Sequence, residues 1–250
     1  MNASPIGAEM DLKKKLQREC TRWMYNTKYS INPSEDKDGK IIQNYQPCKD
    51  GDPKKGRIFP NIWIFTGYFN TLLKPPTIDG TPKIKRAVTI KDEDRIFCEV
   101  GSSHAGDIWE QKRLAARGIR KSLIDIARSI QNTYQQIRLT VDGVLVELEP
   151  VEVGAGPEGS EDGPIEITIP DDDPEFDPPK RFPLVKYYDH LPIKAKDKAL
   201  TAGVAHVRLL GPFDAGTTHI IDMYTRSAGD EPTGDIQYEI DVRYHVTVEG

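Results

Sequence analysis

The stretch that most constrains this chain is its last, residues 235–249 (DIQYEIDVRYHVTVE). Ile236, Tyr238, Ile240, Val242, Tyr244, Val246 and Val248 alternate with Gln237, Glu239, Asp241, Arg243, His245, Thr247 and Glu249. A period of two puts the apolar side chains on one face of a strand and the polar ones on the other. Such a strand needs sheet neighbours, with one face packed and the other wet, which suits an antiparallel sheet or sandwich. Residues 182–189 (FPLVKYYD), 203–210 (GVAHVRLL) and 218–226 (THIIDMYTR) are the expected neighbours. The connectors GPFDAGTT and SAGDEPTGD have the composition of turns.

The first half reads differently. Leu12, Leu16, Cys20, Trp23 and Met24 recur at helical spacing and predict a helix over 9–27 with one narrow apolar stripe. Residues 31–56 carry turn chemistry and predict a long excursion. Ile62-Trp63-Ile64-Phe65 reads as a strand in an aromatic cluster with Phe59, Tyr68 and Phe69. Residues 83–90 and 95–100 flank Lys91-Asp92-Glu93-Asp94, the spacing of a hairpin with a four-residue loop.

A second helix is predicted over 107–131, started by Asp107 with Glu110 in capping-box spacing. Ile108, Ala115, Ile119, Leu123, Ile126 and Ile130 form its apolar side, with Arg113, Arg117, Arg120, Lys121 and Arg128 on a face away from it. QIRLTV-DG-VLVELE then predicts a two-residue type I′ hairpin. In it Val141 faces Val144, Leu139 faces Val146 and Ile137 faces Leu148, with Arg138 opposite Glu147 on the other side.

Residues 154–179 (GAGPEGSEDGPIEITIPDDDPEFDPP) carry nine acidic residues and no basic one, and only Ile165–Ile169 reads as a strand. This change in composition predicts an α+β chain in three parts. Residues 1–153 form an α/β-hairpin domain with two helices, 154–180 an acidic Pro/Gly-rich arm, and 181–250 an antiparallel, sandwich-like all-β half.

Bulk properties narrow the function. The formal charge of −5 argues against general affinity for nucleic acid, and no RNP or zinc-finger pattern is present. No run approaches the roughly 18 apolar residues of a membrane span, and the N-terminal residues lack a secretory pattern, so cytoplasmic synthesis is expected. Cys20, Cys48 and Cys98 are too widely spaced for a disulfide framework or zinc knuckle and read as small core residues.

The chemistry-bearing motifs are incomplete. GSSHAGDI (101–108) has the GxxxxG of a phosphate loop but not its Lys and Ser/Thr, and Asp107 puts negative charge where a phosphate would bind. It also misses the G-x-S-x-G elbow around Ser103, so a hydrolase using Ser103 and His104 is the weakest reading. Asp171, Asp173, Glu175 and Asp177 alternate as calcium ligands can, but without an EF-hand's Gly and closing Glu. The five histidines lack zinc-ligand spacing. No metal or cofactor is expected.

The basic face of 107–131 and the acidic residues Asp171, Asp172, Asp173, Glu175 and Asp177 form a complementary pair suited to intersubunit contacts. The expected protein is therefore a non-enzymatic assembly subunit, with copies of itself and other structural proteins as partners. In its organisation of arms, long loops and exposed hairpins it resembles virion components of tailed bacteriophages, such as neck, tail or decoration proteins. That resemblance implies residence in the virion. The alternative is a glycan- or protein-binding module using the 211–217 and 227–234 loops with Tyr187, Tyr188 and Phe213.

Overall fold

A computed structural model of the chain describes residues 5–24, 61–66, 84–168, 198–227 and 238–250. The expectations for 31–56, for 182–189 and for the acidic run 171–177 lie outside these residues. The architecture is rich in sheet with few helices. The strands are β1 (Ile62–Thr66), β2 (Ile84–Lys91), β3 (Arg95–Gly106), β4 (Tyr134–Val141), β5 (Val144–Val146), β6 (Glu149–Val153), β7 (Ile165–Thr168), β8 (Lys198–Leu210), β9 (Thr218–Ser227) and β10 (Tyr238–Glu249). The helices are α1 (Pro5–Met24), α2 (Lys112–Ala116) and α3 (Leu123–Gln131).

The strands make two five-stranded sheets. Sheet I runs β1-β3-β8-β6, with β7 also paired to β8, and sheet II runs β2-β10-β9-β4-β5. Strand β10 follows its alternation: Val242, Tyr244, Val246 and Val248 are buried and join a cluster with Trp63, Phe65, Ile96, Cys98 and Val100 of sheet I. The rings of Phe65 in β1 and Tyr244 in β10 stack at 3.9 Å between centroids, tying one sheet to the other. An aromatic pair of this kind contributes about 0.5–1.5 kcal/mol beyond the burial of its area.

Three sequence expectations are corrected. Strands β2 and β3 do not form a hairpin, because β2 pairs with β10 in sheet II while β3 pairs with β1 and β8 in sheet I. The residues between them turn a corner, held by buried Asp94, whose Oδ2 accepts from Lys91 N (3.0 Å) and Trp63 Nε1 (2.8 Å). The C-terminal strands are not purely antiparallel in their pairing, since β10 runs parallel to β2. Strands from both sides of the 154–180 segment alternate in both sheets: β8 lies between β3 and β6, and β9 between β10 and β4.

The third correction is the 107–131 helix, which is broken. It opens with one π-helical turn (Asp107–Gln111), passes into α2, stops, and restarts as α3. The stop is a Schellman closure: Gly118, at φ +77°, donates to Ala115 O, and Ile119 N donates to Leu114 O. The restart is Ser122, whose hydroxyl accepts from Asp125 N and donates to Asp125 Oδ2. The capping spacing at 107–110 serves other ends. Asp107 accepts from Leu200 N, and Glu110 accepts from Gly106 N.

Small residues in β3 and β8 let helices approach sheet I. Helix α3 packs Leu123, Ile126, Ala127 and Ile130 against Ala105, Ala202 and Val204. Helix α1 docks on sheet I as its narrow stripe requires, burying Leu16 and Cys20, but it also buries Lys13, Gln17 and Thr21. Lys13 Nζ reaches Glu149 at 2.6 Å, Gln17 Nε2 donates to Glu99 at 2.5 Å, and the Thr21 hydroxyl donates to Gln17 O.

Candidate interaction site

The Asp142-Gly143 turn joins β4 to β5 with φ of +53° and +79°, the type I′ geometry that matches strand twist. Leu139↔Val146 and Val141↔Val144 pair as the sequence predicts. At the root of the hairpin Leu139 is fully buried, and Ile137, Val141, Val146 and Leu148 pack on the core between the sheets. The tip runs past that core. Val144 is 68 % exposed and Leu145 69 %. Ile220, on the same face of sheet II as Leu145 by register, is 36 % exposed. Arg138 lies 5.1 Å from the centre of the Tyr224 ring, its neighbour across β4 and β9.

A polar latch fixes this tip to β9. Asp142 N donates to Ile220 O, and Asp142 Oδ1 accepts from Ile220 N (2.8 Å). Its Oδ2 lies 2.8 Å from His219 Nδ1, while His219 Nε2 lies 3.0 Å from the Thr217 hydroxyl. A carboxylate only accepts, so Nδ1 carries the proton in that contact. The His219 bond, followed by the Ile220 amide, holds the Asp142 carboxyl below the usual carboxylate range. Although the chain of groups has the order hydroxyl, imidazole, carboxylate, Thr217 Oγ1 also donates to Asp214 O at 2.6 Å, so its proton closes a turn. The Phe213 ring, 4.7 Å from that of His219, packs on the inter-sheet core, which makes it a packing residue and not the exposed contact of the binding-module reading.

The basic residues singled out from sequence are dispersed by the helix break. Arg113 is half-buried in α2, Arg117 closes α2, and Arg120 and Lys121 stand exposed in the connection to α3. Lys121 Nζ donates to Ser129 Oγ at 2.9 Å. Arg128 is committed within the chain, bidentate to Glu152 (2.8 and 2.7 Å) and 3.0 Å from Asp125. Arg128 lowers the pKa of Glu152, and the Ser122 bond, ahead of Arg128, lowers that of Asp125. Asp171, Asp172, Asp173, Glu175 and Asp177 lie outside the described residues.

Ser103 and His104 do not converge. A bulge in β3 between Val100 and Ser103 turns Ser103 toward α3, where its hydroxyl donates to Ala127 O (2.8 Å). His104 takes the opposite face, its Nε2 3.6 Å from Glu99 Oε1 beneath α1. Neighbours on a strand point apart, and the pair cannot act as nucleophile and base on one substrate. Cys98 is fully buried, and desolvation pushes its thiol pKa far up, opposing thiolate chemistry.

Among the described residues, no group of three or more His, Cys, Asp or Glu side chains is placed to hold a metal ion, and no helix is long and apolar enough to cross a membrane. The latch and the buried Gln17–Glu99 contact were missed from sequence because their partners are 77 and 82 residues apart. Neither pair has a local signal. No family model matches the chain, and no matching curated protein or solved structure is found.

Proposed function

We propose that this protein is a non-catalytic assembly subunit whose sandwich-like pair of sheets is a rigid body for contacts with further copies of itself and with other structural proteins. The observation that carries this reading is the hairpin tip, where Val144 and Leu145 leave an apolar strand edge in solvent. Such an edge is a template for pairing with another chain, and monomeric proteins protect it with charge, bulges or cover. The latch supports the reading further, because it spends Asp142 and His219 on holding this tip in one position.

The electrostatic part of the proposal is narrower than the sequence suggests, because Arg128 is already paired within its own chain. Arg120 and Lys121 remain exposed for the acidic run of Asp171, Asp172, Asp173, Glu175 and Asp177. A bacteriophage virion component is the setting that the organisation of arms and hairpins suggests. Light scattering over a range of protein concentration and salt tests the reading. A defined oligomer is expected, weakened when the five acidic residues are neutralised, more so at low salt. A strict monomer throughout would remove self-assembly.

A further inference from the structure

From the edge of sheet II at β5, which no other described strand pairs, we infer that a second copy of this chain docks by antiparallel pairing of β5 with its own counterpart about a two-fold axis at Leu145. The inference rests on the assembly reading and specifies its contact. In the two-residue hairpin, Val141 with Val144 and Leu139 with Val146 exchange the ladder hydrogen bonds. The N–H and C=O groups of Leu145 therefore point away from β4, toward the open edge, as do those of Gly143 and Glu147. A two-fold pairing can be centred on one of these three residues or on Val144 or Val146 between and beside them; the last two set Leu145 opposite Gly143 or Glu147 of the second chain and leave its side chain without an apolar partner.

Charge and length select among them. Centring on Glu147 sets two carboxylates directly opposite, which destabilises a pair. Centring on Gly143 opposes two turns and leaves the strand unpaired. Centring on Leu145 uses the whole of β5, whose Val-Leu-Val sequence reads alike in both directions. Leu145 then meets its own copy, Val144 meets Val146 of the second chain, and each Glu147 meets a glycine. The two side chains this covers, Val144 and Leu145, are the most exposed large apolar residues described. Isologous contacts of this kind are the commonest in soluble oligomers.

The test uses the full chain in a Cys48→Ser background, which leaves the buried thiols Cys20 and Cys98. Leu145→Cys places two thiols opposite one another across the axis, with Cα atoms about 5.5 Å apart in a hydrogen-bonded pair. That lies within disulfide range. Mild oxidation should give a covalent dimer, whereas Ser160→Cys, exposed in the β6–β7 connection, should not. In sedimentation equilibrium, Leu145→Glu should weaken the dimer at least about tenfold by opposing two carboxylates, with the circular dichroism spectrum unchanged because the residue is exposed. If Leu145→Glu leaves association intact and Leu145→Cys cross-links no faster than Ser160→Cys, this edge is not the contact, and assembly through another surface stands. If the unmutated chain is monomeric throughout and Leu145→Cys does not cross-link, the contact and self-assembly fall together.

Discussion

Asp142 has two tasks in one residue. Its backbone adopts the left-handed conformation that the turn needs, and its carboxylate ties the turn to His219 and Ile220. Asn tolerates the same conformation, so Asp142→Asn isolates the charge. The folded-state pKa of Asp142 is depressed, so its contribution is present above the unfolded value of about 3.9 and is lost as pH falls through the folded value. The side chain is half exposed, and a contribution below about 1 kcal/mol is expected. Urea unfolding at neutral pH should show the variant slightly less stable, and the gap should close as pH falls from the unfolded value through the lower folded one and Asp142 itself protonates. A gap that persists in acid would mean that the loss comes from shape and not from charge.

At the scale of elements, the telling cases are where β3 and the 107–131 segment change course. Gly101 in the β3 bulge has φ +59°, and a Cβ there would meet Ile137 at 2.9 Å. The bulge resets the alternation, so that Ser103 and Ala105 face α3 while His104 joins Glu99 under α1. Gly118 has φ +77° with nothing within 4 Å of the added carbon. Gly118→Ala should therefore cost only the backbone term, about 1–2 kcal/mol. Gly101→Ala should cost more, by an overpacking penalty of about 1–3 kcal/mol. Chemical denaturation of the two variants checks the order, and Ile137→Val in the Gly101→Ala background should recover part of the difference. Equal losses would show that Ile137 yields without cost.

At the scale of the molecule, the middle of each sheet comes from the C-terminal part of the chain. Strand β8 bridges β3 to β6 and β7, while β9 and β10 bridge β4 to β2. Removing them would leave β2 and β6 with no described strand partner, and β3 and β4 paired on one side only, so that backbone groups lose the partners that satisfy them. A fragment ending at Gly154 should therefore lack cooperative unfolding, whereas the whole chain should lose tryptophan fluorescence and far-ultraviolet dichroism in one coincident transition. Two separated transitions in the whole chain would instead mark residues 1–153 and 181–250 as independent units.

Local chemistry was legible from sequence wherever the interacting residues are neighbours. The alternation of β10, the Asp142-Gly143 turn, the Ile165–Thr168 strand and the amphipathic α1 all rest on periods or turn residues within a few positions. The Gly118 stop and the Ser122 start were equally local signals; the continuous apolar period across them hid the break, because Leu114 and Ile119 still pack on the same cluster as α3. What tertiary structure alone decided is which strands meet. It sent β2 and β3 to different sheets and spent Arg128 on Glu152. It also set Ser103 and His104 on opposite faces and left Val144 and Leu145 beyond the core. Burial and pairing depend on residues tens of positions away, and a side-chain pattern states only which face is apolar, not what covers it.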